Sequence, residues 1–136
     1  MRRVPQRGGF WQGVSGGANE DEELLQAAKR EVTEETALVP KFIKAVGYSY
    51  TFPVETERKY MYAPDVSHIE EHVFVAFVEG NDPTMSDELD MWKWVGFGTG
   101  LKLLKWPENK GALRRCRDFL LAHQTEFDEE NRTKVR

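Results

Sequence analysis

Hydrophobic and polar residues follow a helical period in the segment from Glu23 to Thr36. The segment contains no Gly or Pro, and most of its residues are good helix formers. At about 100° per residue, Leu25, Ala28 and Val32 fall on one stripe. The pattern therefore predicts a helix with one buried side.

A second helix is predicted from Pro107 to about His123. Proline suits the first helical position, and an apolar stripe follows it at helical spacing. The stripe consists of Leu113, Cys116 and Leu120. Beyond it, residues 125–136 are charged and nearly free of large apolar groups, so we expect one domain over 1–124 and a charged C-terminal tail.

Three further segments are rich in β-branched and aromatic residues, which is typical of strands. They are Lys41–Phe52, Glu71–Val78 and Met91–Phe97. The first ends at Pro53. The second contains the nearly continuous apolar run VFVAFV, which predicts burial on both faces. In the third, Trp92 and Trp94 share one side, and Trp94 is a candidate core residue.

The predicted first helix also concentrates negative charge. Glu31, Glu34 and Glu35 share a neighbouring arc, because residues three and four apart lie on one face. Carboxylates that close raise one another's pKa unless a cation is bound. Mg²⁺ or Mn²⁺ would resolve the repulsion, since both prefer oxygen ligands. The alternative is a solvated acidic face that Arg30 and Lys29 partly neutralise.

The residues before this helix favour a ligand site. Gly16 and Gly17 form a turn that suits close approach of the backbone to a ligand or metal. Asn19, followed three residues later by Glu22, has the spacing of a capping box. Glu22 is therefore a candidate either for capping the helix or for the ligand site.

The segment Gly16–Leu38 resembles the signature box of Nudix hydrolases, G-x5-E-x7-R-E-U-x-E-E-x-G-U, where U is aliphatic. One position departs from it, since Ala37 replaces the last glycine at a place past the helix end where a positive φ is often needed. The resemblance implies an α/β/α sandwich around a mixed sheet. It also implies cleavage of a diphosphate linked to a nucleoside or another group.

The resemblance further assigns roles within the box. It implies that the metal ligands are Glu31, Glu34 and Glu35, together with the backbone carbonyl of Ser15. It also implies that Arg30 and Glu22 form a supporting ion pair.

One carboxylate must stay free enough to accept a proton from the attacking water. Glu31 and Glu34 are candidates within the box, and Glu71 and Glu88 are candidates outside it. We favour Glu88, which lies in a loop before a predicted strand; the alternative is an ordinary surface acid.

Two segments beside the box indicate which branch of the family the chain resembles. FWQGVSGG and YAPDVSHIEEHVF are similar to the branch of the family that removes pyrophosphate from a pterin triphosphate. Trp11 and Tyr62 are candidates for stacking on a flat heterocycle, as Phe10 and Tyr60 are, although packing of loop aromatics is the alternative. The candidate substrate-binding residues are therefore Trp11, Tyr62, Gly16 and Gly17. The long loop between Pro53 and Ile69 is also typical of functional loops.

Composition agrees with a small soluble enzyme. The 136 residues suffice for one domain, and the net charge of −4 leaves no dominant basic face, so nucleic acid is not an expected partner. A single cysteine excludes an internal disulfide framework and favours a reducing cytoplasm. No apolar run of 18 residues indicates a membrane span. The expected partner is a small phosphorylated molecule.

The chain begins close to the box, so we expect the sheet to lack its usual N-terminal strand or strands. An open edge favours pairing with another chain, so the hypothesis is a homodimer or low stability. The runner-up function is a Nudix-fold nucleotide-binding or regulatory module with weak catalysis or none.

Overall fold

A computed structural model describes residues 1–54, 65–79 and 82–126 and shows an α/β chain. The elements, in chain order, are β1 (Arg2–Arg3), a 3₁₀ turn (Pro5–Arg7), α1 (Leu24–Thr36), β2 (Phe42–Pro53), β3 (His68–Phe77), β4 (Leu89–Met91), α2 (Phe97–Leu103) and α3 (Pro107–Ala122). Both predicted helices are confirmed, as are the first two predicted strands.

Strands β2 and β3 form an antiparallel hairpin that contacts both α1 and α3. Its register runs from Phe42 opposite Phe77 to Pro53 opposite His68, with a shift between Ala45 and Ser49. Gly47 lies within that shift at φ 78°, which an L side chain rarely adopts.

Burial of β3 on both faces was a wrong prediction. Val75 is the one buried residue of β3, and the neighbouring Ala76 is exposed. A continuous apolar run alone cannot distinguish a central strand from one strand of a hairpin, because burial depends on what packs against each face.

A smaller sheet forms at the N-terminus. Strand β1 pairs antiparallel with β4, and Trp11 makes an antiparallel bridge to Arg2 and a parallel bridge to Leu104. The arrangement is therefore mixed, and a short strand does precede the box. The hypothesis of self-association stays a prediction.

The strand predicted from Met91 to Phe97 was wrong. Strand β4 ends at Met91, and Phe97 already begins α2 after the N-cap Gly96. Trp94, the candidate core residue, is 60% exposed. Because α2 contains Gly98 and Gly100, its sequence has low helix propensity, so packing against α3 decides its conformation.

The described core is small, and its buried apolar residues come from both sheets, α1 and adjoining loops. They are Phe10, Ala27, Ile43, Val54, Val75 and Leu89. Most of the predicted tail, residues 127–136, lies outside the described residues. Within the part that is described, no helix is long and apolar enough to cross a bilayer.

Candidate active site

The guanidinium of Arg30 ties the glycine loop to α1. Its Nε and one Nη donate to the two carboxylate oxygens of Glu22 at 3.0 and 2.9 Å, and the same Nη donates to the Gly17 carbonyl at 2.7 Å. The hydrogen bonds from Arg30 lower the pKa of Glu22 to about 2. The structure thus brings the predicted brace together, with Gly17 as an additional partner.

Glu22 also closes a turn of its own. Its backbone N–H donates to the Asn19 carbonyl at 3.0 Å, and the Asn19 N–H donates to the Glu22 carboxylate at 2.9 Å. Asp21 within this turn has φ 67°. The helix begins later, at Leu24 with Glu23 as N-cap, so the predicted helix start at Asn19 was wrong, whereas the Glu22 side chain does accept the Asn19 N–H as in a capping box.

Glu31 and Gly16 occupy adjoining space. A Cβ built on Gly16 would overlap the Glu31 carboxylate, whereas a Cβ on Gly17 would meet nothing within 4 Å. The Glu31 side chain is 17% exposed, and its Oε1 accepts a hydrogen bond from Arg30 Nη1 at 2.9 Å. The backbone at Gly16 therefore lies against the Glu31 carboxylate, while its approach to a ligand or metal stays a prediction.

Glu34 lies on the outer part of the same helix. Its side chain is 57% exposed, and its Oε2 accepts from Arg30 Nη1 at 3.0 Å. Arg30 thus contacts both Glu31 and Glu34, as expected for carboxylates that share a helical face.

Glu35 is the buried acid of the set. Only 8% of the residue is exposed, and its Oε2 has no hydrogen-bond partner. Burial, followed by the charges of Glu31 and Glu88, raises its pKa to about 7, although a hydrogen bond from the Ser15 backbone N–H acts in the opposite direction. A buried carboxylate oxygen without a partner is rare in folded proteins and often marks a functional site.

The charge of Glu88 acts on this buried acid. The Glu88 carboxylate is 3.3 Å from an Nη of Arg7 and 3.9 Å from an Nη of Arg3, and its carbonyl accepts from the Val4 N–H at 3.0 Å. Glu88 contributes to the raised pKa of Glu35, whereas Glu71 hydrogen-bonds to Tyr50. Of the two outside candidates for general base, Glu88 is therefore the one whose charge acts on a box carboxylate.

Arg3 belongs to this cluster and was missed by the sequence reasoning. Its side chain is 15% exposed, its Nε is buried without a partner, and its charge lowers the pKa of Glu35. No pattern in the first residues points to Arg3, because only the pairing of β1 with β4 brings it beside Glu88.

Of the two aromatic residues in the candidate substrate-binding set, Trp11 is described by the structure. The Trp11 ring has Lys93 Nζ 5.1 Å and Arg2 Cζ 5.9 Å from its centroid. Because Trp11 pairs with Arg2, and Arg3 follows on the opposite face of the strand, the Trp11 ring and Arg3 face opposite sides of the small sheet. Tyr60 and Tyr62 lie outside the described residues, as does most of the loop from Pro53 to Ile69.

Ala37 adopts the conformation expected at the glycine position of the box. Its φ is 59° and its ψ is 13°, in the left-handed region, and its N–H donates to the Thr33 carbonyl at 2.8 Å. The departure from the box therefore places strain at the helix end and leaves the carboxylates unaffected.

The donor set fits a hard cation in part. The unpartnered oxygen of Glu35 and the charge of Glu31 beside it supply oxygen ligands. However, the described ranges contain no group of three or more His, Cys, Asp or Glu side chains close enough to hold a metal ion. Glu34 in particular faces Arg30 and solvent.

Comparison with known proteins decides the family. The NUDIX domain model matches residues 1–116. The chain belongs to the Nudix family. The Nudix chain is 32% identical to dihydroneopterin triphosphate diphosphatase of Haemophilus influenzae, covering 78% of this chain and 70% of that protein.

Two further comparisons extend the likeness. The Nudix chain is 30% identical to RNA pyrophosphohydrolase of Stenotrophomonas maltophilia, covering 71% of this chain but only 50% of that protein. Its structure resembles E. coli dihydroneopterin triphosphate pyrophosphohydrolase with a TM-score of 0.67 and 26% identity, over 78% of this chain and 75% of that one. The resemblance, the α/β Nudix fold and the class of enzyme, a Nudix hydrolase, are confirmed.

Proposed function

We propose that the protein hydrolyses a diphosphate linkage in a nucleoside or pterin triphosphate with the help of a divalent cation, Mg²⁺ or Mn²⁺, and releases pyrophosphate or phosphate. The observation that carries the proposal is the buried Glu35 oxygen without a partner, beside Glu31 and Glu88. Folding a carboxylate into that position is unfavourable unless a positive charge compensates it.

The proposed metal ligands are Glu31, Glu34, Glu35 and the Ser15 carbonyl. When bound, the cation would neutralise phosphate charge and increase the acidity of the attacking water. Glu34 joins this set only if it leaves Arg30, since Arg30 Nη1 now binds both Glu31 and Glu34.

The brace keeps the loop in place during the reaction. Arg30 joins Glu22, on one side of the loop, to the Gly17 carbonyl, so the backbone at Gly16 stays against the Glu31 carboxylate. We propose that the N–H groups of Gly16 and Gly17 face the substrate phosphates, as glycine loops do in other phosphate sites.

Glu88 is the proposed general base. It is 46% exposed, so water can reach it, and its two arginine partners are near 3.3 and 3.9 Å, without a short hydrogen bond. A carboxylate in this state can accept a proton from the attacking water. The nearby arginines then offset the negative charge of the phosphate chain.

The names of the relatives support a pterin triphosphate as one substrate. Two of them act on dihydroneopterin triphosphate, and the FWQGVSGG and YAPDVSHIEEHVF segments agree with that branch. Trp11 and Tyr62 remain proposed stacking residues. For Trp11, stacking requires a heterocycle to displace Lys93 or Arg2 from a ring face or to take the other face.

A panel assay tests the proposal. The protein is incubated with pterin and nucleoside triphosphates and Mg²⁺, and released pyrophosphate and phosphate are quantified separately. Glu34→Gln and Glu35→Gln should each lose most of kcat while folding normally. The control is Glu20→Gln, an exposed acid outside the ligand set.

The same assay tests the runner-up function. Retained activity in both Gln variants would refute the ligand assignment. Absence of turnover for every substrate, with cation binding intact, would instead favour a nucleotide-binding or regulatory module.

A further inference from the structure

Three polar side chains from three elements meet on the α3 side of the hairpin. Tyr50 on β2 is the cross-strand partner of Glu71 on β3, and its hydroxyl forms a hydrogen bond with the Glu71 carboxylate. Asn109, in the first turns of α3, donates its Nδ2 to the Tyr50 oxygen at 2.9 Å. The cluster therefore links β3, β2 and α3.

Glu71 is an unfavourable choice for a purely structural role at this position. Burial raises its pKa, and Tyr50 is the one group that lowers it. No described cation thus offsets its charge, and Glu108 and Glu71 both raise the pKa of Tyr50. A glutamine could serve Tyr50 equally well without a charge. Half-buried acids of this kind are enriched at binding sites.

Aromatic rings extend from the cluster along the same face of β2. The ring centroids of Tyr48 and Tyr50 are 6.1 Å apart, and those of Tyr50 and Phe52 are 6.2 Å apart. Contacts from α3 reach the first two rings through Arg115 and Asn109. Phe52 lies further along the strand, opposite Ile69. An apolar surface with a few convergent polar groups is typical of sites for flat ligands.

We propose that Glu71 recognises a substrate heterocycle through its amide–amine edge, the ring N–H beside an exocyclic NH₂ that pterins and guanine share. This inference rests on the proposed function, because it assigns the group to which the phosphates are attached. A carboxylate has two acceptor oxygens and matches two parallel N–H donors. Adenine presents one donor and one acceptor on its corresponding edge, so it does not match.

This assignment also gives Glu71 a different role from Glu88. Glu88 lies with the box carboxylates, whereas Glu71 hydrogen-bonds within the α3 cluster. Glu71 is therefore a specificity residue in this proposal and takes no part in proton transfer.

Equilibrium binding in EDTA tests the proposal without depending on catalysis. Neopterin triphosphate, GTP and ATP are titrated against the wild type, Glu71→Gln and the matched control Glu70→Gln. Glu70 is the neighbouring acid on β3, is exposed, and contacts Ser49 and His72. The wild type should bind the first two ligands more tightly than ATP.

Glu71→Gln should weaken binding of neopterin triphosphate and GTP by roughly 10-fold or more, because Gln replaces one acceptor with a donor. ATP binding should not weaken, since an acceptor beside a donor matches the adenine edge. Glu70→Gln should change none of the three affinities. Whichever of the two matching ligands binds more tightly identifies the heterocycle as a pterin or a guanine. An unchanged preference in Glu71→Gln, or an equal loss for all three ligands, would overturn the proposal.

Tyr50→Phe provides a second variant if Glu71→Gln does not fold. It retains the aromatic ring and removes the hydroxyl that positions Glu71, so it should also reduce the preference over ATP, and an unchanged preference would again overturn the proposal. Turnover with Mg²⁺ separates the two proposals. Selective binding without turnover contradicts the diphosphatase alone, and turnover without an effect of Glu71→Gln contradicts only the heterocycle site.

Discussion

Replacing Glu35 with glutamine should stabilise the metal-free protein at alkaline pH. The side chain keeps its shape and an acceptor for the Ser15 N–H but loses its charge. Because only 8% of Glu35 is exposed, little water solvates that charge in the folded state.

The magnitude follows from the proton affinity. The pKa of Glu35 rises from an ordinary 4.5 to about 7, since burial, Glu31 and Glu88 all disfavour the charged form. The folded state therefore holds this proton more tightly than the unfolded chain does. The stability gained from the proton is lost as the pH rises from about 4.5 through about 7. At about 1.4 kcal/mol per pKa unit, ionised Glu35 costs about 3 kcal/mol above that range.

Urea unfolding in EDTA at pH 5.0 and pH 8.5 measures this difference. The advantage of Glu35→Gln over the wild type should be about 2.5 kcal/mol larger at pH 8.5 than at pH 5.0. Glu20→Gln should show no such change. Mg²⁺ at roughly 100 times its dissociation constant should stabilise the wild type by about 3 kcal/mol and Glu35→Gln much less, because binding favours the ionised ligand.

Two results would refute this reasoning. One is a Glu35→Gln protein that is less stable than the wild type at pH 8.5 without metal. The other is a stability difference that stays the same at both pH values, which would mean that the carboxyl titrates normally.

The remaining predictions concern the loop and the helix ends. Gly16→Ala should lower kcat/KM at least about 10-fold by displacing the Glu31 carboxylate, whereas Gly17→Ala, with open space at its Cβ position, should change it little; equal losses in steady-state assays would contradict this. Ala37→Gly should raise the free energy of unfolding by about 0.5–1 kcal/mol. Glycine adopts the left-handed φ without strain, but its greater freedom in the unfolded chain offsets part of that stabilisation. A lower free energy of unfolding in urea would contradict this prediction. Arg30→Lys should reduce kcat about 10- to 100-fold, since an ammonium cannot bind Glu22 and the Gly17 carbonyl at the same time as a guanidinium does. Circular dichroism should show a normal fold. Wild-type activity in this variant would exclude a bracing role for Arg30.

Local patterns predicted the parts of the fold whose conformation depends on neighbouring residues. Helix α1 begins and ends within one residue of its prediction, and β2 is shifted by one residue. Both segments have a clear period and well-placed helix or strand formers, so propensity and packing favour the same conformation.

The hydrophobic pattern failed where local propensity and tertiary packing favour different conformations. The aromatic and β-branched residues between Met91 and Phe97 favour a strand, yet the chain leaves the sheet at Met91 and turns into α2. Among the described residues, β4 pairs with the two residues of β1 alone, so its length is limited by what lies beside it. No residue within the segment encodes that limit.

By itself, the sequence determined the helix and the shared face of its three acids, because residues three and four apart on a helix lie side by side. The resemblance to the Nudix box implied the Glu22–Arg30 brace and the position of Ala37 past the helix end, and both lie within one helix and its adjoining loop.

The tertiary structure alone decided which acid is buried and which groups from distant parts of the chain join it. Glu35 and Glu34 are neighbours in sequence, yet one is buried and the other is mostly exposed. Arg3 and Glu88 meet because β1 pairs with β4. Burial and long-range pairing depend on how the elements pack, and packing sets the desolvation that raises the pKa of Glu35.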